Sequence, residues 1–199
     1  MNAIESNEDY FEQLFNKLPL AHSELIGCEF EECEFRECDF SEALLKSCKF
    51  INCIFMRCNL SLLKLSYTSF YDVNFTESKL VGVDWTKASW PAFHFDSMLK
   101  FNKCILNDSS FFGLTMNGLQ FEECKLHDVD FREGDFADST MTYCDFTNSL
   151  FMRTNLQNVD FTESGNFNLN VTENRVTKAK FTRYEALNLL ESLGIELVD

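Results

Sequence analysis

A large apolar residue recurs at every fifth position over most of this 199-residue chain. The beat runs from Leu25 to Phe95, takes up one extra residue within 96–100, and continues from Phe101 to Phe161. Phe and Leu fill most of these positions. An amphipathic helix has a period of 3.6 residues and a two-sided strand has a period of 2, so neither element explains a period of five. The chain is therefore expected to be a repeat architecture.

A second inward position lies two residues before each large residue, and all nine cysteines occupy it. We number the five-residue unit so that this small residue is position 1 and the large residue is position 3. Positions 2, 4 and 5 are mostly polar. Two inward and three outward residues per unit predict a filled tube whose wall turns a corner at every repeat. The cysteines are Cys28, Cys33, Cys38, Cys48, Cys53, Cys58, Cys104, Cys124 and Cys144.

These cysteines are interpreted as small core residues that stay as thiols. A disulfide is the weaker alternative, because each cysteine would pair only with its stacked copy inside a packed column. A zinc site is weaker still, because spacings of five do not bring four thiols to one point and no histidine joins them. No metal or cofactor is expected.

Units such as CDFSE at 38–42, CNLSL at 58–62 and VDFTE at 159–163 resemble the repeats of the pentapeptide-repeat family. The resemblance implies an all-β solenoid, a right-handed quadrilateral parallel β-helix with four units in each 20-residue coil and about seven coils. Residues 58–114, which include Trp90-Pro91, and the tail 181–199 are also similar to the gyrase-protecting branch of that family, which confers resistance to albicidin and quinolones.

The large residues support a 20-residue coil, because residues 20 apart form columns of like side chains. Across the one-residue interruption, two such columns are expected. One column is Leu25, Leu45, Leu65, Trp85, Leu106, Leu126 and Phe146, and the other is Phe30, Phe50, Phe70, Trp90, Phe111, Phe131 and Phe151.

Both ends of the chain depart from the beat. Residues 1–19 are expected to form a helical cap, with a short amphipathic helix over 7–18 that begins at Asn7. The β-helix is expected over 20–165. Residues 166–199 are expected to hold a C-terminal helix that is capped by Thr182 and stopped by Gly194.

The C-terminal segment carries more apolar residues than one small coil end needs. The plain interpretation is a cap on the last coil, and the favoured alternative is a homodimer interface, which the resemblance also implies. The residues assigned to that interface are Leu187, Leu190, Leu193, Ile195 and Leu197.

The net charge is −15, and its distribution along the chain is uneven. Residues 1–42 sum to −10, 43–105 to +4 and 106–199 to −9. A net negative surface repels phosphates, so direct nucleic-acid binding is disfavoured. A partner that itself binds DNA fits better, and the resemblance names DNA gyrase or topoisomerase IV, to which an acidic rod would bind as a DNA mimic and so protect the enzyme from poisons. The alternative is a scaffold that binds some unrelated protein.

Exposed charges on a solenoid are expected to pair between coils, as Arg57 with Glu37 and Glu77, and Arg153 with Glu133. Each such pair contributes about 0–1 kcal/mol. A surplus of acids within 122–145 is assigned as the partner-binding surface. Its members are Glu122, Glu123, Asp128, Asp130, Asp135, Asp138 and Asp145.

Catalysis has little support in the sequence. The histidines fall in outward positions on different parts of the rod, and no glycine-rich phosphate loop occurs. No apolar stretch of about 18 residues and no secretory leader is present, so neither a membrane span nor export is expected. The protein is therefore predicted to be a cytoplasmic, non-enzymatic binding protein.

Overall fold

The computed structural model of the protein describes residues 4–90, 99–196 and 198. The strands are short, and a 3-10 helix spans Trp85–Lys87. Helix α1 is Arg183–Glu191. The strands are β1 Asp9–Phe11, β2 Leu14–Asn16, β3 Glu24–Ile26, β4 Glu29–Glu31, β5 Glu34–Arg36, β6 Leu44–Lys46, β7 Lys49–Ile51, β8 Ile54–Met56, β9 Lys64–Ser66, β10 Ser69–Tyr71, β11 Val73–Thr76, β12 Leu99–Asn102, β13 Gln120–Glu122 and β14 Thr140–Thr142.

Four stacks of parallel strands and bridges form the four sides of a solenoid. Face 1 is the sheet β1-β4-β7-β10, and face 2 is the seven-stranded sheet β2-β5-β8-β11-β12-β13-β14. Face 3 is a column of isolated bridges from Pro19↔Asp39 to Asp145↔Gly165. Face 4 begins with the sheet β3-β6-β9 and continues through the bridges Asp84↔Ser110, Ser110↔Asp130 and Asp130↔Leu150. The chain visits the faces in this order, so face 1 lies opposite face 3 and face 2 lies opposite face 4.

The predicted all-β solenoid with four sides and a C-terminal helix is confirmed. Most paired residues are 20 apart, as Phe35 and Phe55 are on face 2. From the first to the last of the seven strands of face 2, the chain makes about six turns of the solenoid.

The large residues at position 3 stack through the centre of the solenoid. Successive rings along a column lie nearly parallel, as Phe35 and Phe55 do at 4.6 Å between centroids. Rings from neighbouring faces meet edge to face, as Phe30 and Phe35 do at 5.3 Å. Such offset and edge-to-face contacts add to the free energy that burial of the rings contributes. The buried members of these columns belong to one continuous core.

The side chains at position 1 fill the gaps between these columns and satisfy backbone carbonyls. Cys58 donates to the carbonyl of Phe35 at 3.3 Å, and Thr68 donates to the carbonyl of Leu45 at 2.9 Å. All nine cysteines are free and buried. Burial raises the pKa of the Cys48 thiol to about 11. These thiols act as small hydrogen-bonding core residues, as predicted.

Position 5 forms most corners of the described wall, with the backbone in the left-handed region. Glu37 has φ of 52° and Asn52 has φ of 52°. This conformation is unfavourable for residues with a Cβ, and an inter-coil hydrogen bond offsets the cost. The Glu37 amide, for example, donates to the carbonyl of Met56 at 2.9 Å.

Charges of alternating sign stack along the corner between faces 2 and 3. Lys17, Glu37, Arg57 and Glu77 form successive ion pairs at 3.4, 3.3 and 3.9 Å. The predicted pairing of Arg57 with Glu37 and Glu77 is therefore confirmed, and Arg153 also pairs with Glu133. Because these side chains are largely exposed, each pair stabilises the stack only slightly.

The predicted N-terminal helix over 7–18 is wrong, because this segment forms strands β1 and β2 of an additional coil. Tyr10 stacks on Phe30 at 5.1 Å, and Phe15 stacks on Phe35 at 5.0 Å. These two aromatic residues are five apart and so extend the beat of the repeats toward the N-terminus. The helical spacing of the neighbouring apolar residues is a coincidence, since Phe11 and Leu14 point to solvent.

Pro19 limits pairing at the open edge of this first coil. At the same position of the next two coils, the amides of Asp39 and Asn59 donate to the preceding coil. Pro19 has no amide hydrogen, and the Gln13 side chain donates to the carbonyl of Phe11 at 3.2 Å. Both features make the edge less able to add a further strand.

The interruption of the repeats is longer than the single residue expected. Val73 pairs with Leu99, 26 residues later, so six residues more than a coil requires lie between β11 and β12. Residues 91–98, including Phe95, lie outside the described residues. The two expected columns are consequently wrong beyond this point, since Trp85 stacks on Phe111 at 5.7 Å rather than on Leu106.

At the C-terminal end the ladder continues beyond the expected boundary at residue 165. Asn155 bridges Arg175, and Asp160 bridges Lys180. Phe181 stacks on Phe161 at 5.1 Å. Helix α1 follows directly, with Thr182 at its N-cap but without a side-chain capping bond.

Candidate partner-binding surface

Many outward carboxylates are held by their own backbone. At position 2 an Asp or Asn oxygen accepts from the backbone amide two residues later, as Asp135 does from Ala137 at 3.1 Å. Asn155 makes the same contact with Gln157 at 3.3 Å. Such turns fix the direction of the side chain. An Asp at position 2 therefore both stabilises the turn and places a negative charge on the surface. An Asn at this position stabilises the turn without the charge.

The seven predicted acids do not form one continuous surface, because they lie on both sides of the rod. Glu122 and Glu123 belong to face 2 and its corner, whereas Asp135 and Asp138 belong to face 1 and the corner that it shares with face 2. We call these four residues the face 1–2 acids. The remaining three, Asp128, Asp130 and Asp145, lie on faces 3 and 4 and are called the face 3–4 acids.

Among the face 3–4 acids, Asp130 is neutralised within its own unit. Arg132 donates to Asp130 through Nε and Nη2 at 2.9 and 2.8 Å. The Arg132 guanidinium lowers the pKa of Asp130. Asp130 therefore contributes a hydrogen-bonded ion pair to the surface rather than a net negative charge.

Asp145 is also strongly hydrogen-bonded. It accepts from Thr147 at 2.7 Å, from Asn166 at 2.8 Å and from His127 Nε2 at 2.7 Å. Partial burial acts to raise its pKa, but these hydrogen bonds prevail and lower it to about 2. Asp145 therefore stays ionised over the whole physiological range.

The face 1–2 acids have polar partners on adjacent coils. Asn155 donates to Asp135 at 2.9 Å, and Asn158 donates to Asp138 at 2.8 Å. Asn102 donates to Glu122 at 2.9 Å. These amide partners leave the negative charge in place. Glu123 instead lies 3.7 Å from Lys103.

A denser acidic area at the N-terminal end of face 1 was missed by the sequence interpretation. In the first two coils it brings together Asp9, Glu12, Glu29, Glu31 and Glu32. The ion pair of Glu29 with Lys49, at 3.1 Å, offsets part of this charge. The net charge of −10 over residues 1–42 indicated an acidic area in this part of the chain. The acids lie on one side of the rod because β1 pairs with β4, which the sequence interpretation did not predict.

The predicted dimer residues lie at the C-terminal end. Leu187, Leu193 and Ile195 are each almost half exposed, and Leu190 is partly buried. Leu197 lies outside the described residues. The helix is seated on the last coil by Leu189, which packs against the core, and by the Ser192 hydroxyl, which accepts from the amide of Val171 at 3.3 Å.

The described surface offers polar contacts rather than a catalytic constellation. Within residues 4–90 and 99–196, no three His, Cys, Asp or Glu side chains are placed to hold a metal ion. The His127–Asp145 pair lies on the outer wall, and the cysteines lie inside it. The helix of the described chain is too short and too polar to cross a bilayer.

The sequence profile of the pentapeptide repeat region matches residues 28–98 and 89–161, which is more than half of the chain. The chain belongs to the pentapeptide-repeat family. No curated protein matches this pentapeptide-repeat protein in sequence.

Solved structures of QnrB1, described as a plasmid-mediated fluoroquinolone resistance protein, share the fold. Two trypsin-treated variants each have a TM-score of 0.63, at 19% and 17% identity. The matches cover 96% and 98% of this chain, and 97% and 99% of QnrB1. Full-length QnrB1 has a TM-score of 0.56 at 18% identity, with 94% of this chain and all of QnrB1 covered. At this identity the likeness shows the fold alone.

Proposed function

We propose that this pentapeptide-repeat protein is a cytoplasmic, non-catalytic binding protein that occupies the DNA-binding surface of DNA gyrase or topoisomerase IV and protects the enzyme from topoisomerase poisons. The observation that carries the proposal is the set of carboxylates held by turns and amides on the sides of a rod that shares its fold with QnrB1.

Electrostatics favours a protein partner that itself binds DNA. With a net charge of −15 the rod repels phosphates, so it is not expected to bind nucleic acid directly. A positively charged DNA groove attracts the same rod and increases the rate of encounter. A groove that takes one side of the rod would contact either the face 1–2 acids or the face 3–4 acids, but not both.

Neutralising the acids on the binding side is expected to weaken gyrase binding by about tenfold or more and to reduce its dependence on salt. We would compare D128N/D130N/D145N with E122Q/E123Q/D135N/D138N by measuring the affinity for gyrase at several salt concentrations. At position 2 the Asp→Asn changes keep the turn contacts, as Asn155 shows. At position 5 Asn already occupies corners of the wall, as Asn158 does with φ of 58°, so charge is altered without loss of the corner geometry. If neither set alters the affinity or its salt dependence, electrostatic mimicry is wrong.

We also propose that two chains associate through their C-terminal segments. The support is the exposure of Leu187, Leu193 and Ile195 beside a helix that only partly covers the last coil. A dimer joined there would double the length of the acidic rod.

The wild-type protein is expected to sediment as a dimer at micromolar concentration, and L187E/L193E is expected to sediment as a monomer because two charges would enter the apolar contact. Sedimentation velocity measures both, with Leu62→Glu as the control because Leu62 is equally exposed but lies in the middle of the rod. A wild-type monomer over the whole micromolar range would exclude the dimer.

A second candidate function is a scaffold that binds an unrelated protein through its flat sides. It is favoured by exposed aromatic residues, of which Tyr67 is 76% and Phe112 is 42% exposed, together with Tyr71. Scaffold contacts of this kind would tolerate both charge neutralisation and high salt.

A further inference from the structure

Three large apolar residues lie within three successive coils of face 4, in the part of that face between residues 107 and 162, where the other outward positions hold no large apolar side chain. Between residues 107 and 162, positions 2 and 4 hold large apolar residues only at Phe112, Leu150 and Met152. Phe112 is 42% and Leu150 is 43% exposed, while Met152 is half-buried. With Arg132 between them, these residues form what we call the Phe112 patch. Clustered exposed apolar side chains on a soluble protein often mark a binding site.

The three coils that carry the Phe112 patch are directly hydrogen-bonded to one another. The Phe111 amide donates to the carbonyl of Asp130 at 2.8 Å, and the Phe131 amide donates to the carbonyl of Leu150 at 3.0 Å. Residues of the same position on these coils are therefore neighbours across the face. Phe112, Arg132 and Met152, all at position 4, form one continuous column.

Arg132 is fixed in place at the centre of the patch. The Arg132 guanidinium donates two hydrogen bonds to Asp130, and the Arg132 Cζ lies 5.8 Å from the centre of the Phe112 ring. A guanidinium over an aromatic face is an attractive contact. Because both side chains are already ordered, little conformational entropy would be lost when a partner binds.

The Phe112 ring is also open toward the corner next to it. Position 5 of its unit is Gly113, with φ of +67°, and a Cβ at Gly113 would meet no atom within 4 Å. The same corner position carries the longer side chains of Lys87 and Glu133 on the neighbouring coils. A partner side chain therefore has room to reach the ring from this corner.

The opposite border of the patch is negatively charged. Asp108 and Asp128 occupy position 5 on adjacent coils, at the corner between faces 3 and 4, and both are exposed. In the described part of the chain, neither carboxylate has a hydrogen bond or ion pair from its side chain. Two like charges one coil apart repel each other, so a positively charged partner group would be attracted here.

We propose that the Phe112 patch, with Asp108 and Asp128 at its border, is the docking surface for a segment of the topoisomerase that carries apolar side chains bordered by Lys or Arg. The inference rests on the proposed function and names the side of the rod that makes the contact. Aromatic residues, Met and Arg are the residue types enriched at protein interfaces. A second copy of the chain is a poorer occupant, because its net charge of −15 meets the same negative border.

The test is the affinity of the full-length chain for gyrase, measured for wild type and three variants. F112S/L150S removes the apolar part of the patch. I54S/Y143S is the matched control, because Ile54 and Tyr143 are 38% and 58% exposed on the opposite side of the rod. D108N/D128N removes the negative border, and Asn148 already occupies the same corner position on the next coil. Thermal unfolding of each variant verifies that the fold is retained.

F112S/L150S is expected to lower the affinity for gyrase by about tenfold or more, because a few buried anchor residues supply most of the binding energy of an interface. The control I54S/Y143S is expected to bind with the wild-type affinity. D108N/D128N is expected to show a smaller dependence on salt. If wild type binds gyrase and F112S/L150S binds equally well, the inference is overturned while the proposed function stands. If wild type does not bind gyrase, both fail.

Discussion

Replacing Phe131 with Ala is expected to lower the free energy of unfolding by about 3–5 kcal/mol. Phe131 is fully buried and lies between the rings of two neighbouring coils. It stacks on Phe111 at 5.4 Å and on Phe151 at 5.1 Å. It also meets the edges of rings from the other faces, namely Phe121, Phe136 and Phe146. The backbone around it is fixed by inter-coil hydrogen bonds, so the cavity left by the ring cannot close.

The measurement is unfolding in guanidinium chloride, followed by far-ultraviolet circular dichroism. Phe112→Ala is the control, because this Phe lies next to Phe111 in sequence but on the outside of the wall. It is expected to change the free energy of unfolding by about 0.5 kcal/mol or less. Equal losses for the two variants would contradict the stacked-ring core.

Replacing Cys124 with Asp is expected to cost about 3–5 kcal/mol, because it places an uncompensated charge inside the wall. Cys124 is 2% exposed and lies in the position 1 column of face 3. Its neighbours in that column, Cys104 and Cys144, are free buried thiols, and a thiol supplies no positive charge. The carboxylate would have to be protonated, or the coil would have to open to water.

Cys124→Ser is the matched control and is expected to change the free energy of unfolding by about 1 kcal/mol or less. Serine hydroxyls make the same hydrogen bond to a backbone carbonyl at other position 1 sites. Ser164 donates to the carbonyl of Met141 at 2.7 Å, and Ser109 donates to the carbonyl of Leu80 at 2.9 Å. Both variants are measured by the same denaturant titration. A serine variant as unstable as the aspartate variant would show that the thiols do more than fill space and donate one hydrogen bond.

The fold was predictable because every unit repeats the same constraint. When two residues in every five point inward, the backbone must turn at each unit and so forms the wall of a solenoid. Residues 20 apart then lie on the same side of that wall. The first coil was missed because Phe11 and Leu14 create a false helical spacing around Tyr10 and Phe15. In this coil, which has no cysteine and has an exposed edge, the period of five was the more reliable signal.

The side of the rod on which each acid lies follows from the same 20-residue coil. Asp128 and Asp138 are ten residues apart, half a coil, and so lie on opposite sides. The length of the interruption could not be predicted in this way. A period of five shows an insertion only as the remainder after whole units of five are removed, so the six additional residues between β11 and β12 appear in the sequence as one.

The Phe112 patch depends on contacts that sequence alone does not specify. Arg132 is free to extend into solvent in an unfolded chain, and only the folded wall places its guanidinium between Asp130 and the Phe112 ring. The apolar residues themselves were visible as exceptions at positions 2 and 4. Phe112 and Leu150, 38 residues apart in sequence, share face 4 because the bridges Ser110↔Asp130 and Asp130↔Leu150 stack their coils.

Supercoiling by purified gyrase, with the protein titrated in and with or without a fluoroquinolone, tests the central claim most directly. The account predicts that the protein restores supercoiling to the poisoned enzyme, or inhibits the free enzyme at higher concentration, and that raised salt suppresses both effects. No effect on either reaction, at concentrations well above that of the enzyme, would contradict topoisomerase binding and favour the scaffold function.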